Sequence, residues 1–200
     1  MTDSYLTITH SCTGEYSEKR SKFLAFAFHV ETTDEVKSLV QHYEKEYYDA
    51  RHVCYAYMLG HRREQFRAVD NGEPSGTAGK PILGQIIKNE LTNILIIVVR
   101  YFGGIKLGTS GLTNAYKQAA IEAIGNATIE ERTVDDVIGL RFEYPLMNDV
   151  MRVVKDLNPQ IVSQDMQLDC RMTLQIRQRD ASALVERLKL IRGVDVTKEE

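Results

Sequence analysis

Two glycine-rich runs are the segments of the sequence best suited to bind an anion. The first glycine run, DNGEPSGTAGKPILGQ, covers Asp70–Gln85, and the second, VVRYFGGIKLGTSGLTNAY, covers Val98–Tyr116. Eight of the chain's 13 glycines lie in these two runs. Each run leads into helical periodicity, and a helix N-terminus offers unpaired N–H groups and the positive end of a dipole. This arrangement is typical of loops that bind phosphate.

Neither run contains a standard nucleotide-binding motif. A P-loop requires GxxxxGK[ST], whereas Gly103–Ser110 reads GGIKLGTS, with Thr109 in place of the lysine. The GxGxxG pattern is also absent. A less specific anion site remains, in which Arg100, Lys106 and Lys80 would contact phosphates. Tight turns that let helices pack closely on a sheet would explain the same glycines, and the residue pattern leaves both interpretations open.

Other reactive side chains give weaker signals. His52 and Cys54 lie two residues apart in a predicted strand, with no third residue spaced to complete a metal site and no orientation suited to a nucleophile and its base. Asp70 and Glu73 could act as acid and base, but side chains of this type also bond backbone N–H groups in turns. The sequence favours the second role. We expect no catalytic residue, metal or cofactor.

Composition places the chain among ordinary globular proteins. Of its 200 residues, 43% are hydrophobic and 26% are charged, which are ordinary values for a globular protein. The length is enough for one large domain or two small ones. The longest apolar run, Ile94–Val99, is too short to cross a bilayer, and the N-terminus lacks the features of a signal peptide. Three scattered cysteines without a CxxC motif suit a reducing compartment. We therefore expect a cytoplasmic protein that does not bind membranes.

The charge distribution limits any role in nucleic-acid binding. The net charge is −3; residues 1–128 hold 14 Lys+Arg and 14 Asp+Glu, and residues 129–200 hold 11 and 14. Neither half would attract nucleic acid as a whole. A nucleic-acid partner would have to be held by a local patch, and no DNA specificity is expected.

Hydrophobic periodicity predicts the elements that position these residues. Lys22–Val30 and His52–Leu59 read as strands, and Asn93–Val99 as a central strand because it is apolar throughout. A helix over Thr109–Ala123 carries a clear apolar stripe. The helix in the first glycine run has Thr77 as its predicted N-cap.

The residue composition of the chain changes after residue 125. Asn126–Asp136 is polar and acidic and is predicted to be a linker. The segment beyond it follows the order βαββαβ of ferredoxin-like domains. Within that segment Leu168–Arg177 alternates without fault, Leu140, Phe142 and Tyr144 share one face of the first strand, and Asp180 is expected to cap the last helix. We predict two domains, 1–128 and 134–200.

The two glycine runs resemble the signature of the IMPACT family. The resemblance includes the GEPSGTAGKP block, Gly72–Pro81, and the Arg-aromatic-aromatic-Gly-Gly block, Arg100–Gly104. KRSKF, Lys19–Phe23, and DARHVCYAY, Asp49–Tyr57, also resemble the family. Together they cover most of residues 15–125. The C-terminal segment is similar, by pattern alone, to the tail domain of bacterial members.

The resemblance implies an α+β fold. The N-terminal domain would share the fold of domain IV of elongation factor G and of the second domain of a small-subunit ribosomal protein. The tail would resemble domain V of elongation factor G. Relatives of both folds bind RNA or the ribosome. Eukaryotic members restrain a kinase that controls translation, with help from an additional N-terminal domain that is not found in these 200 residues.

Motifs and resemblance together lead to a translation-associated, non-catalytic protein that binds RNA or the ribosome through the glycine runs, with a protein partner in translation control also expected. The alternatives are a small enzyme acting on a phosphorylated or nucleotide-like ligand at the Gly103–Gly111 loop, and a pure protein-interaction module. The outer face of the tail sheet would add a second surface, which includes Arg171, Thr173 and Gln175. The candidate nucleic-acid or anion-binding residues are Lys22, Arg51, His52, Asp70, Glu73, Lys80, Arg100, Gly103, Gly104, Lys106, Gly108, Thr109 and Ser110.

Overall fold

The structure, a computed structural model, describes residues 3–199. It divides into two units: Tyr5–Arg132, and Thr133 onward together with Asp3 and Ser4. Met1, Thr2 and Glu200, which the predicted domain boundaries include, lie outside the described residues. No helix in this described part of the chain is both long enough and apolar enough to cross a membrane.

The N-terminal unit contains seven strands and three helices. In chain order they are β1 (Ser4–Ile8), β2 (Cys12–Glu18), β3 (Ser21–His29), α1 (Thr33–Glu46), β4 (His52–Leu59), β5 (Gln65–Val69), α2 (Gly79–Lys88), β6 (Ile94–Tyr101), α3 (Gly108–Gly125) and β7 (Ile129–Thr133). Five strands form an antiparallel sheet in the order β2-β3-β6-β4-β5, and β1 pairs with β7 in a separate two-stranded sheet.

Strand β6 is the centre of the five-stranded sheet, as its unbroken apolar sequence predicts. Its alternate side chains enter two different cores. Ile94, Ile96 and Val98 pack in the core that contains residues of α2 and α3. Leu95, Ile97 and Val99 pack in the core that contains residues of α1. Both faces of the strand are therefore covered, so both faces are apolar.

Helix α3 packs on the sheet through the predicted stripe. All of its members are buried: Leu112, Ala115, Tyr116, Ala119, Ala120, Ala123 and Ile124. The small residues allow a close approach, and a Cβ atom at Gly14 of β2 would lie only 2.3 Å from the Ala123 nitrogen. This packing sets the position of the helix N-terminus relative to the end of β6.

The predicted linker is partly wrong. Within Asn126–Asp136, the residues Ile129–Thr133 form β7, and the next strand begins at Asp135. Strand β7 is almost entirely polar because only one of its faces is partly covered. Strand β2, with three Glu, Thr or Ser side chains exposed along it, was likewise not predicted.

The C-terminal unit has the predicted βαββαβ order. Its elements are β8 (Asp135–Glu143), a 3₁₀ turn (Tyr144–Leu146), α4 (Met147–Leu157), β9 (Gln160–Asp165), β10 (Asp169–Arg177), α5 (Gln178–Lys189) and β11 (Val194–Glu199). The antiparallel sheet has the order β11-β8-β10-β9. Residues of both helices and the inner sheet face share one core. Both units thus combine α-helices with antiparallel sheets, as the α+β class requires.

Three expectations at the ends of these elements are wrong. Leu168 is 89% exposed because β10 begins one residue later. Tyr144 is 58% exposed because the chain has already turned into the 3₁₀ helix. Helix α5 starts at Gln178, so Asp180 lies inside its first turn rather than at its cap. Periodicity identifies the interior of an element more reliably than its end.

Candidate functional site

A pocket of about 510 Å³ opens at the end of β6 in the N-terminal unit. It is bounded by the start of β4, the first glycine run, the loop after β6 and the first turns of α3. The residues that line it are Arg51, His52, Glu73, Pro74, Arg100, Phe102, Lys106, Leu107, Gly108, Thr109 and Leu112. We call it the β6 pocket. Seven of the predicted site residues meet in it.

The register of the sheet brings the first of these residues together. On β4, His52 lies directly opposite Arg100 of β6, and on the other side Phe23 of β3 pairs with the same arginine. Arg100 interrupts the apolar run just where β6 emerges from the core, and only 6% of the residue is exposed. Its guanidinium carbon lies 5.6 Å from the ring centroids of both Phe23 and Phe102.

Glu73 and Arg100 form a buried ion pair between the two glycine runs. Their side chains are 2% and 7% exposed, and Arg100 Nη1 donates to Glu73 Oε1 at 2.6 Å. The Tyr116 hydroxyl donates to the same oxygen at 2.8 Å. His52 Nε2 lies 3.9 Å from the other carboxylate oxygen. A buried carboxylate needs such partners, so Glu73 holds three elements at the pocket.

Arg100 retains one N–H group without a partner. Its Nε is buried and has no hydrogen bond to any residue in the described part of the chain. Buried donors of this kind are uncommon and call for a physical explanation. Since Arg100 lines the β6 pocket, we interpret this N–H as a group that a bound anion could satisfy after a small side-chain movement.

The N-terminus of α3 forms another side of the pocket. Its N-cap is Leu107, no side chain caps it, and its first turn contains no acidic residue. Gly108, whose φ of +73° favours glycine, turns the chain into the helix. The first N–H groups of a helix have no partner within it. Gly108 and Thr109 therefore place free donors and the positive dipole end beside Arg100 and Lys106.

The first glycine run is arranged differently. The carboxylate of Asp70 accepts hydrogen bonds from the N–H groups of Gly76 at 2.7 Å, Ala78 at 3.0 Å and Gly79 at 2.8 Å. Burial acts to raise the pKa of Asp70, but these three donors and the nearby Lys80 outweigh it and lower the pKa. Asp70 thus occupies the N-terminus of α2 as an internal anion.

The predicted N-cap of α2 is therefore wrong. Thr77 uses its hydroxyl to donate to the Pro74 carbonyl at 2.7 Å, and the N-cap position itself is Ala78. Asp70 performs the capping from eight residues upstream. The sequence predicted that Asp70 would bond N–H groups in a turn. It did not predict that these N–H groups belong to the start of α2, because Asp70 is too far from that helix along the chain.

Cys54 lies beneath the pocket and is not poised to react. It is fully buried and donates to the Asp70 carbonyl at 2.8 Å, with the Tyr116 hydroxyl 3.4 Å away. Burial raises the pKa of its thiol to about 12. Since the thiolate is the nucleophilic form, Cys54 is a packing residue at neutral pH. Within residues 3–199, no three His, Cys, Asp or Glu side chains are grouped to hold a metal ion.

Six candidates lie outside the pocket lining. Lys22 pairs with Glu15 at 3.1 Å, and Gly103 packs against the backbone of Arg20, where a Cβ atom would come within 2.0 Å. Gly104 has a φ of +86° in the loop after β6. The other three are Asp70, Lys80 and Ser110.

Tyr116 is the site residue that sequence reasoning missed. It was assigned only to the apolar stripe of α3, yet its hydroxyl bonds Glu73 inside the core. A buried tyrosine needs a hydrogen-bond partner. A tyrosine in a stripe otherwise built of alanine, leucine and isoleucine was therefore the available signal.

The outer face of the C-terminal sheet is balanced in charge. Arg141 Nε lies 2.9 Å from Asp169, and Arg171 lies 3.8 Å from the same carboxylate. A depression there is lined by these arginines and by Thr173, Asp195 and Thr197, among others. Both arginines already have a nearby carboxylate, so this face offers less free positive charge than the β6 pocket.

Comparison with known proteins identifies several relatives. The family model described as the Impact N-terminal domain matches residues 19–124. The IMPACT family member YigZ of Escherichia coli is 34% identical over 151 residues, which cover 74% of each chain. YvyE of Bacillus subtilis is 32% identical over 156 residues, 78% of this chain and 72% of the relative. A family member of Haemophilus influenzae is 30% identical over 186 residues, 92% of this chain and 90% of the relative.

One solved structure is similar over the whole length. It is the crystal structure of a hypothetical protein, with a TM-score of 0.74 and 28% sequence identity. The match covers 100% of this chain and 99% of the other. The similarity thus includes both units and not only the segment that carries the glycine runs.

Proposed function

The chain belongs to the IMPACT family, and on that premise we propose that it is a translation-associated regulatory protein that binds RNA or the ribosome without catalysing a reaction. The observation that supports this best is the β6 pocket, where three cationic side chains meet an uncapped helix N-terminus. Phosphate groups are the part of RNA that such a site would bind.

The charges of the pocket suit a phosphate-bearing partner. Arg51, Arg100 and Lys106 set three cations against the one carboxylate of Glu73, a net charge of +2 with His52 neutral. The rest of the chain is acidic overall, with a net charge of −3. Binding would therefore depend on this local patch and involve few phosphates. For about three contacts to a single strand, the logarithm of the affinity should fall with the logarithm of salt with a slope of about −2.

Co-sedimentation with ribosomes and with total RNA, at low and at moderate salt, tests the proposal. The informative variant is Arg51→Ala with Lys106→Ala, because both residues are exposed and their loss should leave the fold intact. A matched control, Lys88→Ala with Lys117→Ala, removes two exposed charges of the same unit away from the pocket. Salt-sensitive pelleting that only the first variant loses would support the proposal.

Two outcomes would contradict it. Absence of pelleting at low salt would overturn binding to RNA and to the ribosome. Pelleting that persists at high salt would instead favour a protein-interaction module, since phosphate contacts weaken with salt.

A small enzyme acting on a phosphorylated ligand is the second candidate. The observation that favours it is the carboxylate of Glu73, buried at the pocket wall 3.9 Å from His52. A rise in melting temperature with one phosphorylated compound, and not with others, would point to this alternative.

A further inference from the structure

We infer that the β6 pocket recognises a terminal phosphate, a phosphomonoester, of a nucleotide whose base stacks on Phe102. The inference rests on the proposed function, since it specifies which part of an RNA enters the pocket. It depends on three features of the described residues: the charge of the lining, the depth at which Arg100 lies, and an aromatic ring at the rim.

The charge of the pocket matches a phosphomonoester better than an internal phosphate. The lining carries a net charge of +2, from three cations and one carboxylate. An internal phosphodiester carries a single negative charge, whereas a monoester carries about −1.5 to −2 at neutral pH, because its second pKa is near 6. A monoester would therefore neutralise the lining, and an internal phosphate would leave about one positive charge unbalanced.

The depth of the cation also favours a chain end. Arg100 is only 6% exposed, and the carboxylate that holds it is 2% exposed. Its unpaired Nε lies deeper than the flanking cations Arg51 and Lys106, which are exposed. An internal phosphate has ribose on both sides, which would keep it near the rim. A terminal phosphate has three free oxygens and can approach Arg100 and the first N–H groups of α3 together.

Apolar side chains complete the lining of the β6 pocket. Phe102, Pro74, Leu107 and Leu112 contribute to it. Phe102 is 48% exposed although it is aromatic, and Arg100 lies over its ring at 5.6 Å. Exposed aromatic rings beside cationic grooves are the platforms on which proteins stack bases. The pocket thus offers cations and helix N–H groups to a phosphate and an exposed aromatic ring to a base, as a nucleotide requires.

The test compares oligoribonucleotides of one sequence that differ only at their ends. Fluorescence anisotropy would measure binding of 5′-phosphorylated, 3′-phosphorylated and unphosphorylated forms, with adenosine 5′-monophosphate and adenosine as competitors. We expect a phosphorylated end to raise affinity at least tenfold over the unphosphorylated form. Efficient competition by the free monophosphate, at the affinity of the oligonucleotide, would identify a free nucleotide as the source of the phosphate and overturn the assignment to an RNA end.

Variants separate the phosphate-binding groups of the pocket from its aromatic ring. Phe102→Ala should weaken binding about tenfold, by loss of stacking, while preserving the preference for a phosphorylated end. Ile105→Ala is the matched control, because Ile105 is equally exposed in the same loop but does not line the pocket. Lys106→Ala should reduce the preference for the phosphorylated end itself.

The inference and the proposed function fail in different ways. Equal binding of phosphorylated and unphosphorylated RNA, lost in the Arg51→Ala/Lys106→Ala variant, would overturn the terminal-phosphate inference and leave RNA binding in place. No binding of any RNA, together with no pelleting of ribosomes, would overturn both.

Discussion

The two glycine runs have similar composition but opposite relations to the helices that follow them. In the first run, the carboxylate of Asp70 binds three N–H groups at the start of α2. In the second run, α3 begins without any capping side chain or first-turn acid. The first N-terminus already holds an anion from its own chain, and the second is open to the β6 pocket. Glycine content therefore identifies loops of unusual backbone but does not say which one binds a ligand.

The runs are also joined by one buried contact. Glu73 of the first run pairs with Arg100 of the second and accepts a hydrogen bond from Tyr116. The first run thus supplies the carboxylate of Glu73, which orients Arg100 of the second run. Changes in each run should separate these roles.

Removal of Glu73 should have the largest effect. Glu73→Ala leaves the guanidinium of Arg100 buried without its partner, and the loss of one member of a buried pair typically costs about 3–5 kcal/mol. Urea denaturation would measure the free energy of unfolding. The double variant Glu73→Leu with Arg100→Met should recover much of this loss, because no isolated charge remains. A single change that costs less than about 1 kcal/mol would show that the pair does not hold the runs together.

Individual glycines in these runs should respond to alanine according to the space around each one. A Cβ atom at Gly103 would lie 2.0 Å from the Arg20 carbonyl carbon, whereas one at Gly84 in α2 would meet nothing within 4 Å. Gly103→Ala should therefore destabilise the protein by about 3 kcal/mol. Gly84→Ala should stabilise it by about 0.5–1 kcal/mol, because alanine favours the helix. Melting temperatures of the two variants would move in opposite directions if this distinction is correct.

Asp70→Ala should remove the anion that occupies the N-terminus of α2. It leaves three N–H groups and the α2 terminus without an acceptor, at a cost of about 2 kcal/mol by analogy with lost N-caps. The same variant should gain more stability from added inorganic phosphate than the wild type gains, because it has an additional open helix N-terminus. Thermal melts with and without phosphate measure both effects; an unchanged response to phosphate would argue against the internal-anion role.

The lowered pKa of Asp70 adds a pH dependence to this prediction. Since the folded-state pKa is depressed from its ordinary value of 3.8, the contribution of Asp70 to stability is present above pH 3.8 and is lost as the pH falls through the folded-state pKa. The stability difference between the wild type and Asp70→Asn should accordingly shrink below pH 3.8. A difference that stays constant down to pH 2 would contradict this assignment.

Adding a carboxylate at the N-terminus of α3 should have the smallest effect on stability. Ser110→Asp places a carboxylate in the first turn of α3, where it should stabilise the helix by about 0.3–1 kcal/mol through the dipole. The same carboxylate would compete with a bound phosphate, so salt-sensitive RNA binding should decrease about tenfold. Ser110→Asn is the neutral control. Equal RNA binding by the two variants would indicate that the α3 terminus does not contact phosphate.

Sequence patterns predicted the interior of the elements well and their ends poorly. The apolar run of β6 and the stripe of α3 were confirmed, because the residues that a buried face requires are apolar and recur at the spacing of the element. Strands β2 and β7 were missed because partly exposed strands carry polar residues like those of loops. Leu168 and Tyr144 were wrongly predicted to be buried, because the alternation of apolar residues in the sequence extends beyond the ends of the strands.

The candidate site was predicted as a set of residues, but not as a site. The glycine runs, the cations near them and the family could be recognised from residue types at fixed spacings. That Asp70 fills one helix N-terminus while the other stays open is visible only in the folded chain. The same holds for the contacts of Glu73 with Arg100, 27 residues away, and with Tyr116, 43 residues away. Hydrogen bonds and ion pairs between distant residues follow from strand register and helix packing, so local pattern carries no information about them.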